Sequence, residues 1–200
     1  MGNYLNLGNA GFTSIRKGTY VDKTGLIAFV NNTLGTPQKL TCVSRPRRFG
    51  KSFAAKMLCA YYDKSCDSRS LFVDLEIAKD SSFEEHLNQY DVIYLDMTLF
   101  ISTSRDVREV VETVQRAVIR ELEEEYPQIK TSDVLVDVLS SVVAATGRKF
   151  IFIIDEWDAL FREAKNDTEL QKEYIQLLRS LFKSPLTDKT IAGAYMTGIL

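Results

Sequence analysis

Gly50-Lys51-Ser52 and Asp155-Glu156 are the residues of this chain best suited to chemistry. A glycine, a lysine and a hydroxyl residue in succession, at a turn from strand to helix, are suited to holding a polyphosphate. The backbone amides from Arg48 through Phe49, Gly50, Lys51, Ser52 and Phe53 would receive the anion at a helix start. Lys51 would neutralise charge on the β- and γ-phosphates, and the Ser52 hydroxyl can ligate magnesium. Asp155 would hold the same magnesium through water, and Glu156 would orient and polarise an attacking water. Together the two segments read as a nucleotide triphosphatase site.

Each segment needs an element to deliver it. The run Leu40-Thr41-Cys42-Val43 reads as a strand, with Cys42 in the core, and the loop after it opens a helix. Phe53, Met57, Leu58, Tyr61 and Tyr62 fall on one face of that helix. The acids close an apolar stretch, Phe150-Ile151-Phe152-Ile153-Ile154, that has no polar alternation. Such a run reads as a strand buried on both faces, and strands of this kind present ligands at their carboxyl ends. Arg45 stands where phosphate loops usually have their first glycine. Pro46 lacks an amide but falls outside the set of amides that matters.

The remaining elements follow from periodicity and punctuation. Residues 1–22, with Gly8, Gly11 and Gly18, read as an irregular arm, and Asp22 as the N-cap of a short helix ending near Asn31. Gly35 and Pro37 mark a turn. A second strand is expected over Asp91 to Met97, and a long helix from about Asp106 to Tyr126, ended by Pro127. Another helix is expected over 133–145, stopped near Gly147. Asn166 and Glu169 fit a capping box for a helix over about 168–183. A fourth strand, Ile191 to Thr197, ends on a hydroxyl that in related ATPases meets the γ-phosphate or the attacking water; Thr197 therefore joins Lys51 and Glu156 as a catalytic candidate. Strands alternating with helices imply a mainly parallel sheet inside a three-layer α/β sandwich.

Composition narrows the function classes. The chain has 200 residues, 45% of them hydrophobic, enough for one α/β domain with a real core. The formal net charge is −2 and the sequence pI about 5.6, which argues against a dedicated nucleic-acid binder. Three cysteines without metal-ligand spacing fit reduced thiols in the cytoplasm. No signal segment and no membrane-length apolar run is evident. His86, the only histidine, lies in a polar segment and reads as a surface residue, which leaves glutamate as the base candidate.

The chain resembles the AAA-ATPase-like family of bacterial and archaeal P-loop proteins. The matching stretches are Phe12-Thr13-Ser14-Ile15-Arg16-Lys17-Gly18-Thr19-Tyr20-Val21-Asp22-Lys23-Thr24, Arg45-Pro46-Arg47-Arg48-Phe49-Gly50-Lys51-Ser52, Leu71-Phe72 with Leu75-Glu76-Ile77, Ile154-Asp155-Glu156-Trp157-Asp158 and Tyr195-Met196-Thr197-Gly198-Ile199-Leu200. The Arg-Pro-Arg-Arg form of the loop is typical of that family. The resemblance implies an ATPase with an added catalytic glutamate, using ATP and Mg2+. Full-length members commonly carry a C-terminal nuclease-like domain, through which nucleic acid would be a partner. A homo-oligomer is a further expectation; a membrane is not.

The expected organisation is one P-loop domain over 1–200, with an arm and first helix over 1–37 and a nucleotide-binding core over 38–200. Nucleotide-binding sheets of this kind usually carry a fifth strand beside the first, so more protein is expected after Leu200. An edge left open would need cover from the arm or from a partner chain. Several readings stay open beside hydrolysis. One is a nucleotide-gated interaction module with little turnover. Another is a nucleoside or small-molecule kinase, which does not need the Asp-Glu pair. A third is a DNA-processing ATPase whose Arg45, Arg47 and Arg48 meet backbone phosphates. Trp157 reads as a lid packed on the loop, and Tyr20, Val21 and Asp22 as a border of the adenine pocket or as plain packing and capping residues.

Overall fold

Four apolar runs become four strands, all parallel, in the computed structural model, which describes residues 2–199. They are β1 (Leu40–Ser44), β2 (Asp91–Asp96), β3 (Phe150–Asp155) and β4 (Ile191–Gly198), in the spatial order β1-β4-β3-β2. Parallel neighbours need crossovers, and helices supply them. In chain order these are α1 (Ala10–Arg16), α2 (Gly25–Asn31), α3 (Lys51–Tyr62), α4 (Phe83–His86), α5 (Met97–Thr103), α6 (Val110–Glu125), α7 (Leu135–Thr146), α8 (Ala159–Glu163), α9 (Thr168–Phe182) and α10 (Thr187–Thr190).

Side chains alternate across a strand, so β3 feeds two cores at once. Phe150, Phe152 and Ile154 pack with Val114, Val118 and Leu122 of α6, Leu139 of α7 and Tyr174 of α9. Ile151 and Ile153 pack on the opposite face with Phe12 of α1, Ile27 of α2 and Met57, Leu58 and Tyr61 of α3. The result is the expected three-layer α/β sandwich with a parallel sheet, and every residue of β3 is buried.

Several local expectations are corrected. The arm is not irregular throughout: Ala10–Arg16 is helical, and it buries Phe12. Met97 leaves the strand and starts α5, because the Asp96 carboxylate accepts the Leu99 amide at 3.0 Å and caps that helix. Asp22 does not cap α2. It accepts the Thr24 amide and hydroxyl at 2.8 and 2.7 Å and the Glu76 amide at 2.8 Å, tying the arm to the Glu76–Lys79 turn. The cap of α9 is Asp167, which accepts from Leu170, and not Asn166. Cys42 is exposed, since β1 lies at a sheet edge with one face open and the other only partly covered.

The two edges differ. The arm runs antiparallel along β2, with the Asn6 amide donating to Val92 and the Tyr94 amide to Tyr4, both at 2.8 Å. The Glu121 carboxylate of α6 anchors it by accepting the amides of Asn3, Tyr4 and Leu5 at 2.8–2.9 Å. The arm therefore protects β2, while β1 pairs only with β4 among the described residues.

Candidate active site

The phosphate-loop sequence lies where β1 hands over to α3. Arg48 and Gly50 both adopt left-handed backbone, with φ of 70° and 77°. Glycine takes that conformation freely, whereas at Arg48 it costs about 1 kcal/mol or more. Left-handed residues in a turn can bring successive amides to one side, the arrangement that cradles anions. The N-cap of α3 is Gly50, which has no side chain to offer the first amides of the helix, so an outside acceptor suits them. Lys51 is buried and its ammonium donates to the carbonyls of Arg45 and Pro46 at 2.9 and 3.1 Å, which draws the loop around it. Ser52 and Phe53 are exposed on the first turn of α3. Phe53 thus departs from the expected core face; it projects into a pocket of about 200 Å³ shared with Tyr20, Val21 and Met57.

The acids arrive from β3. Asp155 has the same strand parity as Ile151 and Ile153, which places it on the α3 face at the carboxyl edge of the sheet. Thr197 shares that face with Tyr195 on β4, the strand between β1 and β3. The Thr197 hydroxyl donates to the Asp155 carboxylate and accepts the Glu156 amide at 3.1 Å. One residue further along β4, the Gly198 carbonyl accepts the Arg45 amide at 3.2 Å. A short hydrogen-bonded path therefore joins the loop to the acids across β4. Lys51 and Asp155 belong to one edge and one face of the sheet.

Burial and the neighbouring Asp155 carboxylate push the phenol of Tyr195 up to about 12. The same two causes hold the Tyr94 phenol well above its ordinary range. Two neutral phenols thus flank a carboxylate that is 2% exposed.

Glu156 stands apart in conformation. Its φ is 54°, a left-handed value that ordinary side chains avoid. The Thr197 hydroxyl holds its amide, and Thr197 also accepts the Trp157 amide through its carbonyl at 2.9 Å. The Glu156 carboxylate pairs with Arg162 of α8. Arg162 also forms an ion pair with Asp158 at 2.6 Å, and Asp158, fully buried, accepts the Ile199 amide at 3.0 Å. Partial burial works against the Arg162 charge, but Asp158 and Glu156 outweigh it and hold the guanidinium above its usual range.

The other sequence candidates fall into place around this centre. Arg45, Arg47 and Arg48 are exposed on the loop. Trp157 packs edge-on against Phe161 and against Gly198, where an added Cβ would meet its indole nitrogen at 2.8 Å. It thus covers the end of β4 and lines a groove with Cys42 and Leu178, and does not lie on the loop as a lid. Asp96 is a helix cap. His86 is partly buried and bonded to the Tyr90 hydroxyl at 2.7 Å. Thr197 is fully buried with its hydroxyl engaged by Asp155 and Glu156, so it faces the acids and not the open crevice. Leu200 lies outside the described residues. Sequence reading missed Arg162 and Tyr94. Arg162 lies four residues beyond Asp158, the spacing of a helical ion pair, while Tyr94 carries no comparable local signal.

No helix among the described residues is long and apolar enough to cross a membrane. A family model described as "Predicted AAA-ATPase", that of the AAA-ATPase-like family, matches residues 6–200. No curated protein and no solved structure matches the chain. The match spans nearly the whole sequence, and the chain belongs to this family.

Proposed function

We propose that this member of the AAA-ATPase-like family binds ATP with magnesium and hydrolyses it at the carboxyl edge of the sheet. The observation that carries the reading is the shared face: Asp155 and Thr197 project on the α3 side, and β4 links them to the loop that holds Lys51. The amides of residues 48–53 would cradle the phosphates, and Lys51 would exchange its carbonyl partners for β- and γ-phosphate oxygens. The base would lie in the pocket formed by Tyr20, Val21 and Phe53.

Ser52 and Asp155 would hold magnesium. They offer oxygen donors only, and no group of three or more His, Cys, Asp or Glu side chains able to bind a metal occurs among the described residues. That fits a cation that keeps waters and phosphate oxygens as most of its ligands. When bound, it would offset negative charge on the transferred phosphoryl group. Glu156 would orient the attacking water and take up its proton. Thr197 would hold the two acids in register. Hydrolysis would drive a conformational change in an attached or partner module; an associated nuclease-like domain acting on nucleic acid and assembly into a homo-oligomer belong to the same proposal, as does a cytoplasmic setting.

Turnover of ATP by wild type and by Glu156→Gln tests this reading. The variant is expected to bind nucleotide as wild type does and to lose about a hundredfold or more in kcat. Equal rates would remove Glu156 from the reaction.

A further inference from the structure

A glutamate that aligns water must itself be aligned. Its side chain has three rotatable bonds, and an unrestrained carboxylate would spend little of its time in a productive position. Here both ends of Glu156 are fixed. The Thr197 hydroxyl holds the amide in a left-handed turn, and the Arg162 guanidinium holds Oε2.

Arg162 is itself anchored. Its second contact is to Asp158 at 2.6 Å, and Asp158 is buried and bonded to the Ile199 amide. Side-chain exposure is 23% for both Arg162 and Glu156, so the pair is shielded more than a surface ion pair and less than a core one. The planar guanidinium can meet two carboxylates at once, which a lysine ammonium does with less directional control. The charge that faces Glu156 is thus set by a buried post and not by a loose surface chain.

We infer that Arg162 is a positioning residue for ATP hydrolysis, holding one oxygen of the Glu156 carboxylate so that the other is directed at the attacking water. This rests on the role proposed above for Glu156. In this role Arg162 acts through Glu156 and not on the nucleotide, so its removal weakens kcat and leaves KM and nucleotide affinity alone.

The test is a mutant cycle over Arg162→Ala, Glu156→Gln and the double variant, with Arg162→Lys as the conservative partner. Steady-state ATP turnover and nucleotide affinity are measured in all, with thermal unfolding to confirm the folded state. Expected is a loss of about tenfold to a hundredfold in kcat for Arg162→Ala, unchanged KM, partial recovery with Arg162→Lys, and no further loss when Arg162→Ala is added to Glu156→Gln. A loss of the same size on the Glu156→Gln background, a fall in nucleotide affinity, or a rise in kcat overturns the inference.

A second measurement does not depend on turnover. The guanidinium resonances of Arg162 should show restricted rotation in wild type, loosened in part in Glu156→Gln, where the contact to Asp158 remains. Free rotation in wild type overturns the inference even where Glu156 proves essential. A wild-type rate in Glu156→Gln instead overturns the role of Glu156, and the inference with it.

Discussion

Thr197 does more for the acids than its size implies. Its hydroxyl donates to Asp155 and accepts from Glu156, and its carbonyl accepts from Trp157. Replacing it with valine keeps the shape but leaves a buried carboxylate short of a donor and the Glu156 amide without an acceptor. The expected cost is about 1–3 kcal/mol of stability, seen as a lower Tm, together with reduced ATP turnover. Thr197→Ser retains the hydroxyl and should restore most of both. A valine variant with wild-type Tm and turnover would contradict the role assigned to the hydroxyl. At this scale the sequence showed which residue types could act but not how they are held. Lys51, Ser52, Asp155 and Glu156 are legible because their chemistry is local and ordered. Arg162 is not, since its meeting with Glu156 depends on a left-handed turn that residue identity does not announce.

Elements with strong patterns were legible, and those set by tertiary contacts were not. The unbroken apolar run of β3 and the stripes of α6 and α9 identify themselves. α1 hid among glycines, although Phe12 and Ile15 share a face and Phe12 is completely buried. α5 is rich in residues suited to strands, and only the Asp96 cap turns the chain. Asp22 illustrates how a capping residue can be recognised and its client mistaken: besides the nearby Thr24 amide it serves the amide of Glu76, 54 residues away. Its burial would raise its pKa, but the donors from Glu76 and Thr24 prevail and lower it. A carboxyl with a depressed folded pKa stabilises above its unfolded value, about pH 3.9, and that contribution disappears as pH falls through the folded value. Asp22→Asn should therefore lower Tm at pH 7, with the gap from wild type closing as the pH falls below about 4. A gap that is constant from pH 7 to pH 3 would show that Asp22 acts through shape and not through charge.

The whole molecule is organised around one edge of one sheet. The strand order β1-β4-β3-β2 brings the loop strand and the acid strand to either side of β4, and the helix that follows β1 packs on the opposite face from the long helices that follow β2 and β3. Ligand crevices form at such positions. Alternation of strands and helices made the parallel sheet and its three layers foreseeable. The order of strands was not, because neighbours in space are set by crossovers that leave no mark on local sequence. The same holds for the arm, which is anchored along β2 by the carboxylate of Glu121, while β1 pairs only with β4 among the described residues.

The central claim is that the loop and the acids form one magnesium-nucleotide site. It is tested most directly by the gain in ATP affinity that magnesium confers, measured in wild type, Asp155→Asn and Lys51→Ala. The account predicts tighter binding of ATP with magnesium than without it in wild type, loss of that gain in Asp155→Asn with metal-free binding retained, and loss of both in Lys51→Ala. An undiminished magnesium gain in Asp155→Asn would place the acid strand outside the site and contradict the account.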